Sequence, residues 1–351
     1  MVSWFKPRLQ RPIGIDLGSR SLKMIQFNAD YSAATDAARW DIPFAAPPAL
    51  AERRDIIRNA LKQLRTSRNF VGREAVLCLT APHLHIQNIR VPKLSGEEFE
   101  KTIRQDAAAR LPFPLDEAEV RFIEAGDVRQ ADAVKREVIL LACQRTFIEE
   151  MIAVVQSAGL HVVGVDPEPA AVLRCYSRQF RRDDDKVQCH LYVHVGSANT
   201  SVTIARGEEV LFVKYLEVGG RHMDESVARH LEMDLQQASI LRRSAGDRRN
   251  DQQDPDVAGT MTESLRPIVE RLSTELSLCI RYHSVTFRGR PLTRAVLTGG
   301  EANGTLAELL TNQVGMEFDL GDPLRRFQGV NTTSRKGQWD VAVGLALREL
   351  V

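Results

Sequence analysis

Two short stretches far apart in this chain follow one pattern, and that repetition limits the fold more than any other feature of the sequence. At 13–27 the run Ile-Gly-Ile-Asp-Leu-Gly-Ser-Arg-Ser-Leu-Lys-Met-Ile-Gln-Phe is apolar up to Asp16, turns through Gly18 and Ser19, and resumes with Leu22, Met24 and Phe27. At 191–205 the run Leu-Tyr-Val-His-Val-Gly-Ser-Ala-Asn-Thr-Ser-Val-Thr-Ile-Ala does the same, with Gly196-Ser197 answering Gly18-Ser19. Strand, tight polar turn and second strand make a β-hairpin with its chemistry at the bend. Glycine there lets the backbone come close to a ligand, and turn N–H groups with the hydroxyls of Ser19, Ser21, Thr200 and Ser201 suit an anion. Lys23 adds a positive charge, and Asp16 is placed to hold Mg²⁺ through water. One such hairpin says little, because Asp-x-Gly turns are common. Two of them predict two related lobes facing a shared cleft. A third signal is the run Ala-Val-Leu-Thr-Gly-Gly at 295–300, a buried-looking strand that ends in Gly299 and Gly300 ahead of a helical stretch at 305–313. Glycines in that position offer a flat backbone surface to a ligand such as an adenosine.

The bulk properties allow this reading and exclude others. A chain of 351 residues is long enough for two lobes with cores of their own. The net charge of +1 argues against nucleic acid or a membrane surface as general partners. Cys78, Cys143, Cys175, Cys189 and Cys279 are scattered through apolar runs without a Cys-x-x-Cys pair, the pattern of buried thiols in a reducing compartment. No apolar run approaches the roughly 18 residues of a membrane span. Residues 1–12 carry Trp4, Phe5, Lys6, Arg8 and Arg11 but lack a signal peptide's apolar core, and read as a tail. His83 and His85 share a strand face, yet no third ligand lies near them, so they do not read as a metal site.

Along the chain, 31–50 is rich in Pro and Ala and reads as irregular. Ile56, Ile57, Ala60, Leu61 and Leu64 then recur at helical spacing, followed by strands at 74–80 and 83–91. Ser95-Gly-Glu-Glu98 is a capping-box pattern ahead of a helix with Phe99, Ile103, Ala107 and Leu111, which Pro112 stops. Two prolines around Phe113 stiffen the segment at 111–117 and either present Phe113 to a neighbour or bury it in a rigid turn. Strands follow at 120–125 and 137–143. Thr146 with Glu149 caps a helix that Gly159 closes. A strand at 161–166 and Asp166-Pro-Glu-Pro169 lead into a helix at 170–176, and the charged run 181–186 reads as the crossing between lobes. After the second hairpin come a strand at 210–215 and the turn Val218-Gly219-Gly220, whose N–H groups are expected to face the cleft. A helix at 224–231, a basic helix at 236–243, a polar mobile loop at 244–260, a long helix at 261–284 and a closing helix at 339–350 complete the reading.

The three loops in this order resemble the actin/Hsp70/sugar-kinase ATPases, with two phosphate loops and an adenosine loop. The opening hairpin, Leu111-Pro-Phe-Pro-Leu-Asp-Glu117, Ala158-Gly-Leu-His-Val-Val-Gly-Val-Asp-Pro-Glu-Pro169, Leu216-Glu-Val-Gly-Gly220, Leu297-Thr-Gly-Gly300 and Val341-Ala-Val-Gly-Leu-Ala-Leu347 more specifically resemble the PilM family. These are actin-like type IV pilus assembly proteins related to FtsA, and the likeness runs from about residue 12 to the end. It implies an α/β, two-lobed, actin/Hsp70-like ATPase fold with an FtsA-like inserted subdomain. The expected division is a tail at 1–12, a lobe I core at 13–82 and 158–182, an inserted subdomain at 83–157, a lobe II core at 187–226 and 291–351, and a helical subdomain at 227–290 with the loop 244–260. It implies ATP and Mg²⁺ in the cleft, with Asp16, Gly18, Ser19 and Lys23 in the first phosphate loop and Gly196, Ser197 and Thr200 in the second. Gly219 and Gly220 match the turn after it, and Gly299 and Gly300 the adenosine loop. The implied partner is a PilN-like inner-membrane protein whose N-terminal peptide docks near the inserted subdomain, tying a cytoplasmic scaffold to the inner-membrane platform of a pilus or secretion system. Self-association stays open.

The departures from the family pattern bear on chemistry. His194 stands where an Asp usually opens the second phosphate loop, and a neutral imidazole cannot replace that charge toward Mg²⁺ and water. Glu301 stands where the adenosine loop usually has a third Gly or a small residue, and Ser239 and Arg242 replace an acidic residue and a lysine near the nucleoside. Weak ATP binding with little or no hydrolysis is therefore expected. The competing readings are a polymerising FtsA-like ATPase, a pseudo-ATPase adaptor without nucleotide, and a phosphotransferase of the sugar-kinase kind. A C-terminal amphipathic anchor would mark the first, whereas this chain ends at Val351 inside its closing helix; the missing Asp at 194 counts against the last.

Overall fold

The computed structural model describes residues 11–44, 50–130, 133–180, 187–247, 254–330 and 335–349. The first hairpin is β1 (Ile13–Leu17) and β2 (Ser21–Phe27), with Asp16 opposite Lys23 and Leu17 opposite Leu22. The stretch expected to be irregular supplies a third strand, β3 (Ala34–Asp41), antiparallel to β2. Its buried apolar residues are Ala34 and Ala38, too small to register as a hydrophobic alternation, so the ladder to β2 sets this strand more than its own side chains do. Helix α1 (Leu50–Ser67) covers the sheet with Ile57, Ala60, Leu61 and Leu64, and β4 (Glu74–Leu79) returns parallel to β1.

The next elements form a separate layer. Strands β5 (His85–Pro92), β6 (Ala118–Gln130) and β7 (Ala133–Gln144) pair antiparallel in the order β5-β7-β6, and α2 (Gly96–Arg110) lies on them through Phe99, Ile103 and Ala107. The expected capping box does not form: Ser95 is the N-cap residue but makes no side-chain cap bond. Glu97 and Glu98 still place negative charge in the first turn, where the helix dipole favours it. Thr146 likewise is not the cap of α3 (Arg145–Ser157), whose N-cap is Gln144, two residues earlier. Gly159 ends that helix as expected, at φ 84° with its N–H on the Gln156 carbonyl at 2.8 Å. Strand β8 (His161–Pro167) and α4 (Glu168–Ser177) complete this half.

The second half repeats the plan. β9 (Cys189–Val195), β10 (Thr200–Arg206) and β11 (Glu209–Leu216) form a meander. After α5 (Gly220–His230), α6 (Leu235–Asp247) and α7 (Pro255–Thr286), β12 (Leu292–Thr298) runs parallel to β9. The helix α8 (Gly304–Val314) and β13 (Phe318–Leu320) follow. The polar run 244–260 is helical at both ends, up to Asp247 and again from Pro255, with Asp254 capping α7 by accepting from the Asp256 N–H at 2.9 Å. Its centre, 248–253, lies outside the described residues. The two large sheets have the same topology, β3-β2-β1-β4-β8 and β11-β10-β9-β12-β13, each an antiparallel meander extended by two parallel strands. The doubled hairpin in the sequence is thus the visible trace of a doubled sheet.

The last helix, α9 (Asp340–Ala346), leaves the second sheet and lies against β1 and α4 of the first. Its Val-Ala-Val-Gly-Leu-Ala composition allows backbone to touch backbone. A Cβ on Gly344 would stand 1.8 Å from the Ala171 carbonyl oxygen, and one on Gly14 would stand 2.2 Å from that of Ala342. The inserted sheet is also fastened to lobe II. Asn88 donates to the Val213 carbonyl at 2.8 Å, Arg90 donates to Glu137 and to Thr286, each at 2.8 Å, and the Tyr282 hydroxyl donates to Glu137. No helix among the described residues is long and apolar enough to cross a membrane.

The contact at Gly344 sets a stability test. Gly344→Ala should destabilise the fold by about 3 kcal/mol or more, because the methyl meets main chain that cannot swing away. Gly304→Ala, where a Cβ would meet nothing within 4 Å, should stay within about 0.5 kcal/mol. Urea denaturation midpoints of the two variants check the contrast.

Candidate functional site

Both hairpin turns open into one cavity between the sheets. In the first, Leu17 and Leu22 close a turn of residues 18–21; in the second, Val195 and Thr200 close the equivalent turn of 196–199. Gly18 packs so closely on its own turn that a Cβ would lie 2.8 Å from the Ser21 carbonyl oxygen, and the Gly196 N–H donates to the Asn199 carbonyl at 2.9 Å. Of the residues singled out from sequence, Asp16, Gly18, Ser19, Ser21, Lys23, His194, Gly196, Ser197, Gly300 and Glu301 line this one cavity.

Several are occupied otherwise than their motifs suggest. Lys23 does not stand free: its ammonium holds Asp16 Oδ2 at 2.6 Å across the hairpin, so each cancels the other's charge. Thr200 is fully buried and donates to the Val218 carbonyl at 2.7 Å, away from the cavity. The N–H groups of Gly220 and Arg221 do not point freely into the cleft either. They donate to the carbonyls of Gly196 and Ser197 at 3.0 and 2.8 Å, so the start of α5 buttresses the second turn. Gly299, at φ 97°, lets the main chain pass over Val195, whose oxygen a Cβ would meet at 2.5 Å.

His194 differs most from its expectation. Its Nδ1 lies 2.6 Å from Oδ2 of Asp340, the first residue of α9. Thr298 donates to the same oxygen at 2.9 Å, the Tyr176 hydroxyl lies 2.5 Å from Thr298 Oγ1, and the Val341 N–H donates to Asp340 Oδ1 at 2.7 Å. Burial is the largest influence on the ring and works against its charge, but Asp340, Glu168, the hydrogen bond and Asp16 together outweigh it and raise the pKa to about 9. The expected neutral imidazole instead faces a buried carboxylate that favours its protonated form, which counts against a general-base role there.

On the far side of the cavity the adenosine-type loop meets a chain of ion pairs. Glu301, 1% exposed, accepts from Arg242 at 2.8 Å, from Arg243 at 2.7 Å and from Arg335 at 3.4 Å. Arg242 also holds Asp224 at 2.7 Å, and Arg20, in the first hairpin turn, reaches Asp224 and Ser239, each at 2.5 Å. Burial pushes the Glu301 carboxyl up, yet the three arginines bring it down to about 2. Arg335 reaches the cluster from a left-handed backbone, φ 43°, and also pairs with Asp247.

Sequence reasoning passed over Arg20, Asp224, Arg335, Asp340 and Glu168. Arg20 sits within the first motif and Glu168 within Asp166-Pro-Glu-Pro169, so both had a local signal; Asp224, Arg335 and Asp340 had none. Glu168 lines the cavity, buried, with Oε2 accepting from Thr80 Oγ1 at 2.7 Å while Oε1 has no hydrogen-bond partner among the described residues.

These residues fit the two halves of a nucleotide unequally. The paired Gly-Ser turns, one from each lobe, keep the shape of a phosphate cradle. The metal position is weaker, since Lys23 pairs with Oδ2 of Asp16, while Glu168 Oε1 is a buried oxygen without a hydrogen-bond partner among the described residues. The nucleoside half fits less well: a Cβ on Gly220 would already lie 2.5 Å from Glu301 Cδ, so the Glu301 side chain fills the space between the Gly299-Gly300 loop and the start of α5.

Two sheets of one topology around a shared cleft define an actin-like ATPase fold. Solved structures bear this out. The chain superimposes with TM-score 0.79 on a structure described as the PilM-PilN type IV pilus biogenesis complex, at 23% identity over 96% of this chain and 98% of that one. Ethanolamine utilization protein EutJ from Carboxydothermus hydrogenoformans matches with TM-score 0.58 at 13% identity, over 97% and 90%. MreB 5 of Spiroplasma citri bound to AMPPNP matches with TM-score 0.50 at 8% identity, over 96% and 95%. Residues 14–350 match the family described as type IV pilus assembly protein PilM, and the chain belongs to that family.

The His194 pair gives a pH signature. A group raised from 6.5 to about 9 on folding contributes its full stability below pH 6.5 and loses it as pH rises through 9, about 3 kcal/mol in all. Urea midpoints of the wild type should fall over that window, and those of His194→Gln should stay flat. A wild-type profile as flat as the variant's would refute the ionised pair.

Proposed function

We propose that this protein is a scaffold of type IV pilus assembly that docks the N-terminal peptide of a PilN-like inner-membrane protein on its inserted subdomain. It would work on the cytoplasmic side, peripheral to the membrane through that partner. One surface observation carries the docking part. Where β5 meets α3, a partly exposed aromatic strip joins three segments: His83 stacks on Phe147 with ring centroids 3.6 Å apart, and Phe113 sets its edge toward His85 at 5.1 Å. Burial lowers the pKa of both histidines, so the strip is uncharged at neutral pH. Arg145 donates to the Asp116 carbonyl at 2.7 Å and fixes the Pro-Phe-Pro segment beside α3. A short apolar peptide segment with an anchoring side chain suits such a strip. Family membership and the likeness to a PilM-PilN complex support this choice of partner.

For the cleft, the second reading, ATP·Mg²⁺ bound with weak or absent hydrolysis, draws support from the paired Gly-Ser turns. The pseudo-ATPase adaptor draws support from Glu301 over the nucleoside surface and from the cationic His194 where a carboxylate is usual. Between the two, the adaptor agrees with more of the geometry. Neither assigns a catalytic residue.

The docking claim predicts that calorimetry with the N-terminal peptide of a PilN-like protein gives saturable binding. Phe113→Ala and Phe147→Ala should each weaken it about tenfold or more, the first with little change in thermal midpoint and the second with a lower one, because Phe147 also packs against the core. Undiminished peptide binding in both variants would move the docking site elsewhere.

A further inference from the structure

We propose that the ionic chain running from Arg20 through Asp224 and Arg242 to Glu301 is a built-in latch, which stands in for a nucleoside and holds the two lobes closed without one. The inference deepens the adaptor reading of the cleft and leaves peptide docking as a separate question.

The argument rests on place, connectivity and cost. The carboxylate of Glu301 lies on the main chain of Gly220, between the loop after β12 and the start of α5. Arg242 of α6 closes the same space, donating to Glu301, to Asp224 and, at 3.3 Å, to the Gly220 carbonyl. In nucleotide-clamping folds a ligand bridges two lobes because each lobe contributes part of its site. Here Arg20, from the turn of the lobe I hairpin, does the bridging, with both ends of its guanidinium on lobe II side chains. Asp224 and Glu301 are both essentially sealed from solvent, so their charges are tolerable only while the arginines stay. Opening the lobes withdraws Arg20 from Asp224, and admitting a nucleoside displaces Glu301 from Arg242 and Arg243. Each event strips a partner from a buried carboxylate. The chain therefore favours closure by itself, and a nucleoside has to compete with Glu301 for its place.

The test uses the full chain with spin labels on cysteines introduced at the exposed positions Arg68 in lobe I and Gln237 in lobe II. The native cysteines are buried and stay unlabelled. Pulsed electron resonance should give one narrow inter-lobe distance in the wild-type background, unchanged by ADP·Mg²⁺, and calorimetry should place the wild-type Kd for ADP·Mg²⁺ above about 1 mM. Arg20→Met should lengthen and broaden the distance. The paired variant Arg242→Met with Glu301→Gly, which removes the charge and vacates the space, should bind ADP·Mg²⁺ at least about tenfold more tightly than wild type. Micromolar ADP binding by the wild type overturns the proposal, as does a wild-type distance that is broad alone and narrows on adding ADP·Mg²⁺. A folded Arg20→Met protein with an unchanged distance overturns the latch. If a variant does not fold, the wild-type distance and titration still decide. Loss of peptide binding in the wild type would count against the docking site and not against the latch.

Discussion

A single carboxylate organises the interior of the cleft. Glu301 is buried almost completely, and an isolated buried charge costs several kcal/mol. Its position is tolerable because Arg242, Arg243 and Arg335 arrive together, two from α6 and one from the segment before α9. The requirement to keep those charges matched fixes α6 against the loop after β12. Asp224 then extends the same demand from α5 to Arg20 across the cleft. Burying such a network is poor economy for stability alone, since apolar residues of similar volume often do as well. What it contributes is a defined arrangement of α6, the loop after β12 and the lobe I turn, beside the apolar packing of Val227, Ala238 and Met261 that joins α5, α6 and α7.

The floor of the cleft shows a second reversal of the usual charges. Where an actin-like ATPase presents a carboxylate to a cation, this chain presents the imidazolium of His194 with its carboxylate behind it on α9. The position of Asp340 depends in turn on how closely α9 can approach β1 and α4, which Gly14 and Gly344 allow. Helix packing and site electrostatics are therefore one design. The same small residues that let α9 sit on the sheet deliver the acid that pairs with His194, and Thr298, itself hydrogen-bonded to Tyr176, donates to that acid.

What was legible in the sequence follows from how local each cause is. The hairpins around Gly18 and Gly196 were readable because strand periodicity and turn chemistry lie within about fifteen residues, and their repetition disclosed the doubled sheet. Long amphipathic helices such as α1 and α7 were readable for the same reason. β3 was not, because its buried residues are alanines and the partner strand, not the local pattern, makes it a strand. Ser95 takes the cap position without the capping-box bonds and Thr146 does not cap at all, because a capping box is a weak local preference that the approach of the chain can override. At the site, the motif residues were found but not their partners. The Lys23–Asp16 pair follows from the register of the first hairpin and lay within reach of a local reading, whereas nothing in the sequence pairs Glu301 with Arg335 some thirty residues on, since that contact exists only once the elements have met. The charge on His194 was misread for that reason: its state belongs to Asp340, 146 residues away.

The latch also bears on how the cleft and the aromatic strip could be connected. Asp224 lies on α5, and α5 is tied to α7 by Ser226, which donates to the Ser264 carbonyl at 2.6 Å. At its far end α7 presents Tyr282 and Thr286 to Glu137 and Arg90 of the inserted sheet. Strand β5, which carries Arg90, begins at His85 in the strip itself. Rigid elements thus run without a gap from the inter-lobe ion pair to the proposed docking surface. Contiguity alone is not coupling; coupling requires an element with two arrangements that both sites bias. Under the latch proposal the closure of the lobes is the element that would have to supply them. A peptide that prefers one arrangement of the inserted sheet would be felt at Arg20, with or without a nucleotide between the lobes.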